Sequence, residues 1–145
     1  MKNRTRIIIG VIIVAIVLIT VVSVLLETNP PVVQEPPWDS PQTRALAVRA
    51  CFDCHSNQTK WPWYTKLPFG SWLSVVDTLG GRGNLNFSEY GVPSASPEGN
   101  RPHDYARAIN NGSMPPVYYT WMHPEAVLTD AEKQQLITGL QNTMK

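Results

Sequence analysis

The sequence has only two cysteines and three histidines among its 145 residues. A structural zinc site usually takes four Cys or His ligands, often as two C-x-x-C pairs. Cys51 and Cys54 form one such pair, and a second pair is missing from the sequence. We therefore do not expect a zinc-binding module, and the pair must serve another chemistry.

A strongly basic surface is missing as well. Subtracting Lys2, Arg4 and Arg6 from the twelve basic residues leaves nine for the chain from Glu27 onward, against all eleven acidic residues. Nucleic-acid binding depends on basic side chains that neutralise phosphates. The mildly acidic balance of this part of the chain therefore predicts no nucleic-acid partner.

Charge is absent altogether from residues 7–26, an almost unbroken run of Ile, Val and Leu. About 20 apolar residues in a helix cross a hydrocarbon core of roughly 30 Å. A cleaved secretory signal is the alternative, but its apolar core usually has about 7–15 residues and precedes a small-x-small cleavage site. The sequence around Leu26 offers no such site. We predict an uncleaved transmembrane anchor.

The charges that flank this anchor predict its orientation. Residues 1–6 carry three basic side chains, and positive residues favour the cytoplasmic side of a membrane. A second long apolar run is absent from the sequence. We therefore predict a single span of the cytoplasmic membrane, with the remainder of the chain on its periplasmic or extracellular side.

Residues 27–40, directly after the anchor, contain four prolines. Proline fixes φ and favours an extended polyproline II spacer of about 3.1 Å per residue. A spacer of this length would hold a folded domain roughly 40 Å from the bilayer. We predict a Pro-rich linker over residues 27–40 and a folded domain over residues 41–145.

Helix signals dominate this domain, and a convincing alternating strand pattern is lacking. Thr129 and Glu132 form a capping box, and Gly139 in the following helix would let another backbone approach closely. Gly80 and Gly81 are expected to end an earlier helix. We predict four helices, over residues 41–51, 71–79, 103–111 and 129–140.

The two cysteines belong to Cys51-Phe52-Asp53-Cys54-His55, the C-x-x-C-H pattern of covalent c-type haem attachment. Each thiol at this spacing forms a thioether to the same porphyrin, and the histidine lies beneath the iron as its proximal ligand. The alternative is a thioredoxin-like dithiol, in which C-x-x-C opens a helix after a strand. Here the motif follows a helical pattern, so we predict one covalently bound haem c.

The iron also needs a sixth ligand or an open site. Met114 precedes Pro115 and Pro116, and each proline fixes its own φ and restricts the residue before it. A thioether restrained in this way favours His/Met ligation, which raises the reduction potential. Core filling is the alternative role of this methionine. The competing sixth ligands are Met122, His103 and His123.

The segments between the predicted helices are rich in Pro, Gly, Ser and Asn, notably residues 91–102. Long loops are uncommon in so small a domain, unless they wrap around a large prosthetic group. A bound cofactor would also help to stabilise a core of this size. We therefore predict a mainly α, cytochrome c-like domain whose long loops wrap around one haem.

Several further side chains are candidates for contact with the haem. Five aromatic residues follow the motif, and they would pack either on the porphyrin or in an ordinary core: Trp61, Trp63, Tyr64, Phe69 and Trp72. Three polar groups are candidate donors to haem propionates, although an exposed arginine is usually only solvated: Trp72, Arg82 and Asn86. Two residues are expected to stabilise the turn after the motif: Asn57 and Thr59.

The pattern around the motif is similar to that of a known family. The matching segments include Cys54-His55-Ser56-Asn57, Thr59, Trp61-Pro62-Trp63-Tyr64, Leu85-Asn86-Phe87-Ser88 and Met114-Pro115-Pro116. On these residues the sequence resembles the haem-binding-domain family of small, often membrane-anchored bacterial c-type cytochromes, over about residues 44–141. The resemblance implies a mono-haem domain with His55 and Met114 as axial ligands. One departure is Ser113, where the family tends to have an acidic residue.

These features predict a membrane-anchored cytochrome that exchanges single electrons with redox partner proteins and is not an enzyme. The reason is that an iron with both axial positions filled by protein excludes oxygen and peroxide. A haem peroxidase or a haem-based redox or gas sensor is the alternative, and either needs a displaceable sixth ligand. A membrane-tethered thiol oxidoreductase is a weaker alternative.

Overall fold

The structure, a computed structural model, describes residues 2–92 and 102–144. The helices within these ranges are α1 Lys2–Leu25, α2 Pro41–Ala50, α3 Phe52–His55, α4 Pro68–Asn84, α5 Pro102–Asn110, α6 Val117–Met122 and α7 Asp130–Thr143. Short 3-10 turns cover Trp63–Lys66 and Pro124–Ala126. Across the described ranges no β-strand forms, and an isolated bridge joins Gln34 and Glu89. The mainly α prediction is confirmed.

Helix α1 is long and apolar enough to cross a membrane, and almost none of it is buried inside the protein. It begins at Lys2, before the predicted span, and ends at Leu25. A signal sequence near the N-terminus would meet the same criteria of length and composition, so α1 is a candidate span. Its last turns pack against α4 and against the turn Trp63–Lys66.

The segment 27–40 does not act as a free spacer. The backbone N–H groups of Val33 and Gln34 both donate to the Ser88 carbonyl, over 2.9 and 3.0 Å. The Tyr90 N–H donates in turn to the Gln34 carbonyl at 3.0 Å. The extended backbone that the prolines favour therefore pairs with a second segment, and the prediction of a roughly 40 Å offset from the bilayer is wrong.

Side chains fix the same segment to the domain. Glu35 accepts two hydrogen bonds from Arg44, over 2.7 and 2.8 Å, and a third from the Trp38 indole at 2.9 Å. The Trp38 ring packs on Phe52 and Phe87, whose own rings stack at 5.5 Å. The segment therefore forms part of the wall around the core.

Helices α2 and α7 cross at close range. Ser40 caps α2 by accepting from the Thr43 N–H at 3.2 Å, and the predicted capping box of Thr129 and Glu132 is present in α7. A Cβ added at Gly139 would overlap the Thr43 side chain. Gly139 therefore allows a close contact between α7 and α2, but the group that approaches it is the Thr43 side chain and not a backbone as predicted.

Helix α4 is longer than predicted, because it continues through Gly80 and Gly81 to Asn84. Glycine costs a helix interior about 1 kcal/mol relative to alanine, which tertiary contacts readily offset. Here the contact is with α3, since a Cβ at Gly81 would overlap the Cys54 carbonyl group. The predicted stop at these glycines is therefore wrong.

The hydrophobic core lies where α2, α5 and α7 meet the segment around Phe87. Its buried members are Leu46, Ala47, Ala50, Phe52, Phe87, Ile109, Ala126, Leu128, Leu136, Ile137 and Leu140. Cys51, Leu85, Tyr105 and Tyr119 pack against this cluster from its edge. The C-x-x-C-H motif therefore begins at the edge of the core. The predicted long loop lies largely on residues 93–101, outside the described residues.

Candidate functional site

The C-x-x-C-H motif forms a tight helical turn directly after α2. Cys51 ends α2 and precedes α3, and its carbonyl accepts hydrogen bonds from the N–H groups of Cys54 and His55, over 3.2 and 2.9 Å. Both thiols and the imidazole therefore belong to a single turn. The prediction that the motif follows a helix is confirmed.

Polar side chains bind the backbone of this turn from below. Ser56 donates through Oγ to the Phe52 carbonyl, and Thr59 donates through Oγ1 to the Asp53 carbonyl, both over 2.8 Å. The Asn57 N–H donates to Ser88 Oγ at 2.9 Å. The expected role of Asn57 and Thr59 in stabilising the turn is confirmed.

The imidazole of His55 is fixed by one hydrogen bond. Its Nδ1 lies 3.0 Å from the Leu85 carbonyl oxygen, which only accepts, so Nδ1 carries the proton. Burial lowers the pKa of His55 and keeps the ring neutral, because water is excluded from the charged form. A neutral imidazole protonated at Nδ1 presents the Nε2 lone pair, which is the form that binds a metal ion.

The two thiols lie in an environment that opposes their ionisation. Burial raises the pKa of both Cys51 and Cys54 to about 12, and the charges of Asp77 and Asp53 add to the effect at Cys54. A reactive dithiol needs a lowered pKa, because the thiolate is the nucleophile. The site therefore lacks the electrostatics of a dithiol oxidoreductase.

Met114 lies in the turn between α5 and α6. Gly112, with φ of +75°, ends the α5 turn in the left-handed region that favours glycine. The Met114 N–H donates to the Ala108 carbonyl at 3.0 Å, while 41% of the residue is exposed. The backbone of this candidate ligand is therefore fixed by α5, and Met114 itself is not part of the core.

Helix α6 connects the Met114 turn to the motif. The Tyr119 hydroxyl donates to Asp53 Oδ2 at 2.8 Å, and the Tyr118 hydroxyl donates to Asp77 Oδ2 at 3.1 Å. Met114 precedes Tyr119 by five residues, which span at most roughly 17 Å of extended chain. The fold therefore holds Met114 in the neighbourhood of the haem motif.

His123 lies in a different environment from that of His55. Its Nε2 pairs with the Tyr64 hydroxyl at 2.5 Å, its Nδ1 pairs with Glu125 at 3.1 Å, and its ring stacks on Tyr119 at 4.1 Å. Both ring nitrogens of this buried histidine are thus engaged in hydrogen bonds. Of the other competing ligands, Met122 is half exposed in α6, and the His103 side chain lies outside the described part of the chain.

Arg82 does not serve as a propionate donor. Four of its five N–H groups are occupied, by the Ser56 and Thr28 carbonyls, Asn29 Oδ1 and Thr59 Oγ1, over 2.8 to 3.0 Å. Its role is to join α4 to the turn after the motif and to the segment that follows α1. The propionate interpretation of Arg82 is therefore wrong, because tertiary contacts use its donors.

The other candidate haem contacts fall into two groups, one that bonds within the protein and one that lies at the surface. The Asn86 amide donates to Asn57 Oδ1 at 2.9 Å and its Oδ1 accepts from the Ser88 N–H at 3.0 Å, so Asn86 also supports the turn. Trp63 and Phe69 do not lie in a core, because 71% of each is exposed. Trp72 lies on the exposed surface of α4.

The contact between Asp53 and Tyr119 was not predicted from the sequence. Asp53 occupies one of the two variable positions of the motif and also accepts from the Lys60 N–H at 3.0 Å. Its neighbours along the chain do not include Tyr119, so only the fold reveals the pair.

The comparisons with known proteins agree with this site. A family model described as a haem-binding domain matches residues 12–142, which is most of the chain. The chain belongs to the haem-binding domain family. The resemblance inferred from the motif is thereby confirmed as a haem-binding family. Neither a curated protein nor a solved structure gives a match.

The residues of this haem-binding domain fit the cofactor. Cys51 and Cys54 are two thiols on one turn, and His55 offers a neutral imidazole. Among the described residues, the Trp61 indole N–H is buried without a hydrogen-bond partner, and Trp61 lines a cavity together with Asp53 of the motif. A buried donor normally has an acceptor. A haem propionate would supply one.

Proposed function

We propose that this haem-binding domain is a membrane-anchored c-type cytochrome that transfers single electrons outside the cytoplasmic membrane. The haem is joined through Cys51 and Cys54, and His55 and Met114 are its axial ligands. The observation that carries the proposal is the hydrogen bond from His55 Nδ1 to the Leu85 carbonyl within the C-x-x-C-H turn. It prepares Nε2 for iron before any cofactor binds.

The role of the chain's own residues follows from this preparation. The bound haem supplies the one-electron couple. The Leu85 carbonyl holds the imidazole orientation in both redox states, and the buried turn limits the water that would otherwise reorganise around a changing charge. A rigid ligand environment of this kind favours electron exchange over bond-making chemistry.

Met114 is the better supported sixth ligand. Its turn is fixed through the hydrogen bond to Ala108, and α6 joins that turn to the motif through Tyr119. His123 would have to abandon hydrogen bonds to Tyr64 and Glu125 and its stacking on Tyr119 in order to ligate. The half-buried Tyr64 hydroxyl would then lose its partner, and an unsatisfied buried donor costs about 1–3 kcal/mol.

The raised thiol pKa values favour attachment over dithiol exchange. A dithiol oxidoreductase needs a thiolate near neutral pH, and the pKa of about 12 at both cysteines disfavours one. Thioether formation removes the ionisable protons altogether, so burial of the sulfur atoms then has no electrostatic cost.

One observation favours a second candidate function. Met114 is 41% exposed, so its thioether is open to exchange with an external ligand. A haem peroxidase or a haem-based redox or gas sensor uses a displaceable sixth ligand of this kind. The state of the iron decides between the two functions, because an electron carrier keeps both axial ligands in both redox states.

Covalent attachment and ligation are tested on the purified full chain. We expect haem to remain with the protein after acidic solvent extraction and the intact mass to exceed that of the chain by one haem. The variant in which Cys51→Ala and Cys54→Ala are combined loses all haem under the same extraction. Complete extraction from the wild-type protein would overturn the c-type proposal.

The optical spectrum of the same sample tests ligation. We expect a low-spin, six-coordinate haem in the oxidised and the reduced protein, with no binding of carbon monoxide. A five-coordinate reduced haem that binds carbon monoxide would move the function to the sensor or peroxidase.

Membrane topology is tested separately. Protease added to spheroplasts should remove everything beyond α1, and N-terminal sequencing should find the chain uncut near Glu27.

A further inference from the structure

Helix α4 carries an apolar stripe that the core does not use. Its four members are Phe69, Trp72, Val76 and Leu79, whose exposed fractions are 71, 47, 47 and 55%. Successive α-helical residues are about 100° apart, so these four positions share an arc of roughly 80° on α4. Trp63 and Leu67, just before α4, are also exposed. We call the four α4 residues the outer stripe.

The outer stripe is not the side of α4 that faces the haem motif. Gly81 meets the Cys54 carbonyl, and Asp77 binds Tyr118 of α6. These two positions lie roughly 140° around the helix from the middle of the stripe. The buried side of α4, with Ser71, Val75 and Thr78, is a third direction. The stripe therefore lies on a different side of α4 from the positions that contact Cys54 and Tyr118.

The end of the candidate membrane span lies beside this stripe. The last turns of α1 pack against α4 and the turn Trp63–Lys66, and Ser23 of α1 is buried there. Glu27, two residues after α1, forms an ion pair with Lys66. Arg82 of α4 donates to the Thr28 carbonyl at 3.0 Å. These contacts hold α4 at the level where α1 ends.

We propose that the outer stripe of α4, together with Trp63 and Leu67, is a lipid-contacting surface that seats the haem domain on the outer leaflet beside its own span. The proposal rests on the membrane anchoring proposed above. Tryptophan is enriched at the membrane–water interface, and a helix with one apolar side lies in that interface with the apolar side inward. Because α1 packs against α4, which carries the stripe, the stripe belongs to the helix that adjoins the proposed span.

This seating has a consequence for the haem. Because the stripe and the Cys54 side of α4 are roughly 140° apart, contact between stripe and lipid turns the Cys54 side away from the bilayer. A redox partner in the aqueous phase then has access to the haem side of the domain, while the anchor limits the orientations that the domain adopts.

Three matched valines test the seating in the full-length haem-loaded protein. Val17 lies in α1, Val76 in the outer stripe and Val48 on α2, and their exposed fractions are 54, 47 and 36%. Val17→Cys, Val76→Cys and Val48→Cys are each spin-labelled in nanodiscs of phosphatidylcholine and phosphatidylglycerol. Wild-type protein treated identically gives the background from Cys51 and Cys54. Collision rates with oxygen, which concentrates in lipid, and with a water-soluble nickel chelate are then measured.

We expect the ratio of oxygen to nickel collisions to be several-fold higher at position 76 than at position 48, and highest at position 17. A ratio at position 76 equal to that at position 48, with position 17 in lipid, would overturn the seating and leave the anchor intact. A water-like ratio at position 17 would instead overturn the anchor and the seating with it.

A second position and a dilution control exclude other occupants of the stripe. Leu79→Cys should repeat the result at position 76, since both residues belong to the stripe. If the spectrum of either labelled variant is broadened, and mixing with unlabelled protein removes the broadening, labels on two copies of the chain lie close together. A second copy then covers the stripe, and the lipid proposal is wrong. Spectra that do not depend on dilution, with a lipid-like ratio at both positions, support it.

Discussion

The attachment side and the Met114 side of the site are built differently. The turn of Cys51, Cys54 and His55 is half-buried, packs against α4 and is bonded by Ser56, Thr59 and Leu85. Met114 is 41% exposed, and its backbone N–H donates to the Ala108 carbonyl, which belongs to the preceding helix α5. Under the ligation proposed above, packing and hydrogen bonds would hold the proximal ligand His55, and the distal ligand Met114 would be the adjustable element. Variants on each side should therefore fail in different ways.

The largest effect is expected at Gly81, where α4 contacts the attachment turn. In Gly81→Ala the new Cβ overlaps the Cys54 carbonyl, so α3 and α4 must separate. We expect the free energy of unfolding to fall by about 3 kcal/mol, at the upper end of the usual cost of overpacking, because backbone must move. The yield of haem-loaded protein and its urea midpoint in detergent measure the loss.

Gly83→Ala is the matched control for this variant. A Cβ at Gly83 meets no described atom within 4 Å, and the residue lies in the same helix. The control should gain about 0.5–1 kcal/mol, because alanine is the better helix former. Equal behaviour of the two variants would show that the contact between α4 and the motif is not tight.

The next largest effect concerns the adjustable side. Met114→Ala should leave haem attached but open the sixth position, so the protein gains carbon monoxide binding. The reduction potential should fall on the order of 0.1 V, a fraction of the roughly 0.8 V that axial ligands span, because a thioether favours ferrous iron over the harder water that replaces it. Potentiometric titration and the reduced spectrum measure both changes.

Met122→Ala controls for the loss of an exposed methionine near the same helix, and it should leave potential and spectrum unchanged. His123→Ala should destabilise the domain without altering iron ligation, because the Tyr64 and Glu125 contacts are lost. If His123→Ala abolished the low-spin spectrum while Met114→Ala left it unchanged, the distal ligand would be histidine. Met114 would then not be the adjustable ligand.

A smaller effect is expected for the link between the two sides. Tyr119→Phe removes the donor to Asp53, and a hydrogen bond to a carboxylate contributes about 1.5 kcal/mol. We expect the free energy of unfolding in urea to fall by that amount. In the Met114→Ala background we also expect the same change to make carbon monoxide bind faster. Tyr118→Phe, whose hydroxyl binds the more exposed surface at Asp77, should cost less. An equal loss in both variants would show that Tyr119 does not couple the two sides specifically.

The smallest effect concerns Glu35, which fixes the segment after α1. Its hydrogen bonds from Arg44 lower the pKa of Glu35 from 4.5 to about 2. A lowered pKa contributes stability that is fully present above 4.5 and is lost as the pH falls toward 2. Because the pair is partly exposed and screened by water, the contribution is about 1 kcal/mol.

Glu35→Gln should therefore be about 1 kcal/mol less stable than wild type above pH 4.5 and nearly equal to it at about pH 2. Urea unfolding at a series of pH values measures the difference. A constant gap over that range would contradict the assignment of the acid-dependent stability to this ion pair.

Several parts of the fold were predictable because their causes are local. The capping box of Thr129 and Glu132 and the helical onset at Pro41 depend only on neighbouring residues, and both are present. The end of α4 was not predictable in this way, because Gly80 and Gly81 stop a helix only when no tertiary contact offsets the free-energy cost of glycine in a helix. The partner is α3, which is about 30 residues away along the chain.

For the site, the sequence by itself determined the C-x-x-C-H pattern of Cys51, Cys54 and His55, and that pattern predicts the covalent attachment proposed above. Only the tertiary structure decided the environment of these residues. The Leu85 carbonyl sets the His55 tautomer, and the Tyr119 hydroxyl donates to Asp53. The Arg82 guanidinium donates to carbonyl and side-chain oxygens of distant segments. Hydrogen-bond partners of this kind come from distant segments, and a linear pattern of residues does not record which segments meet.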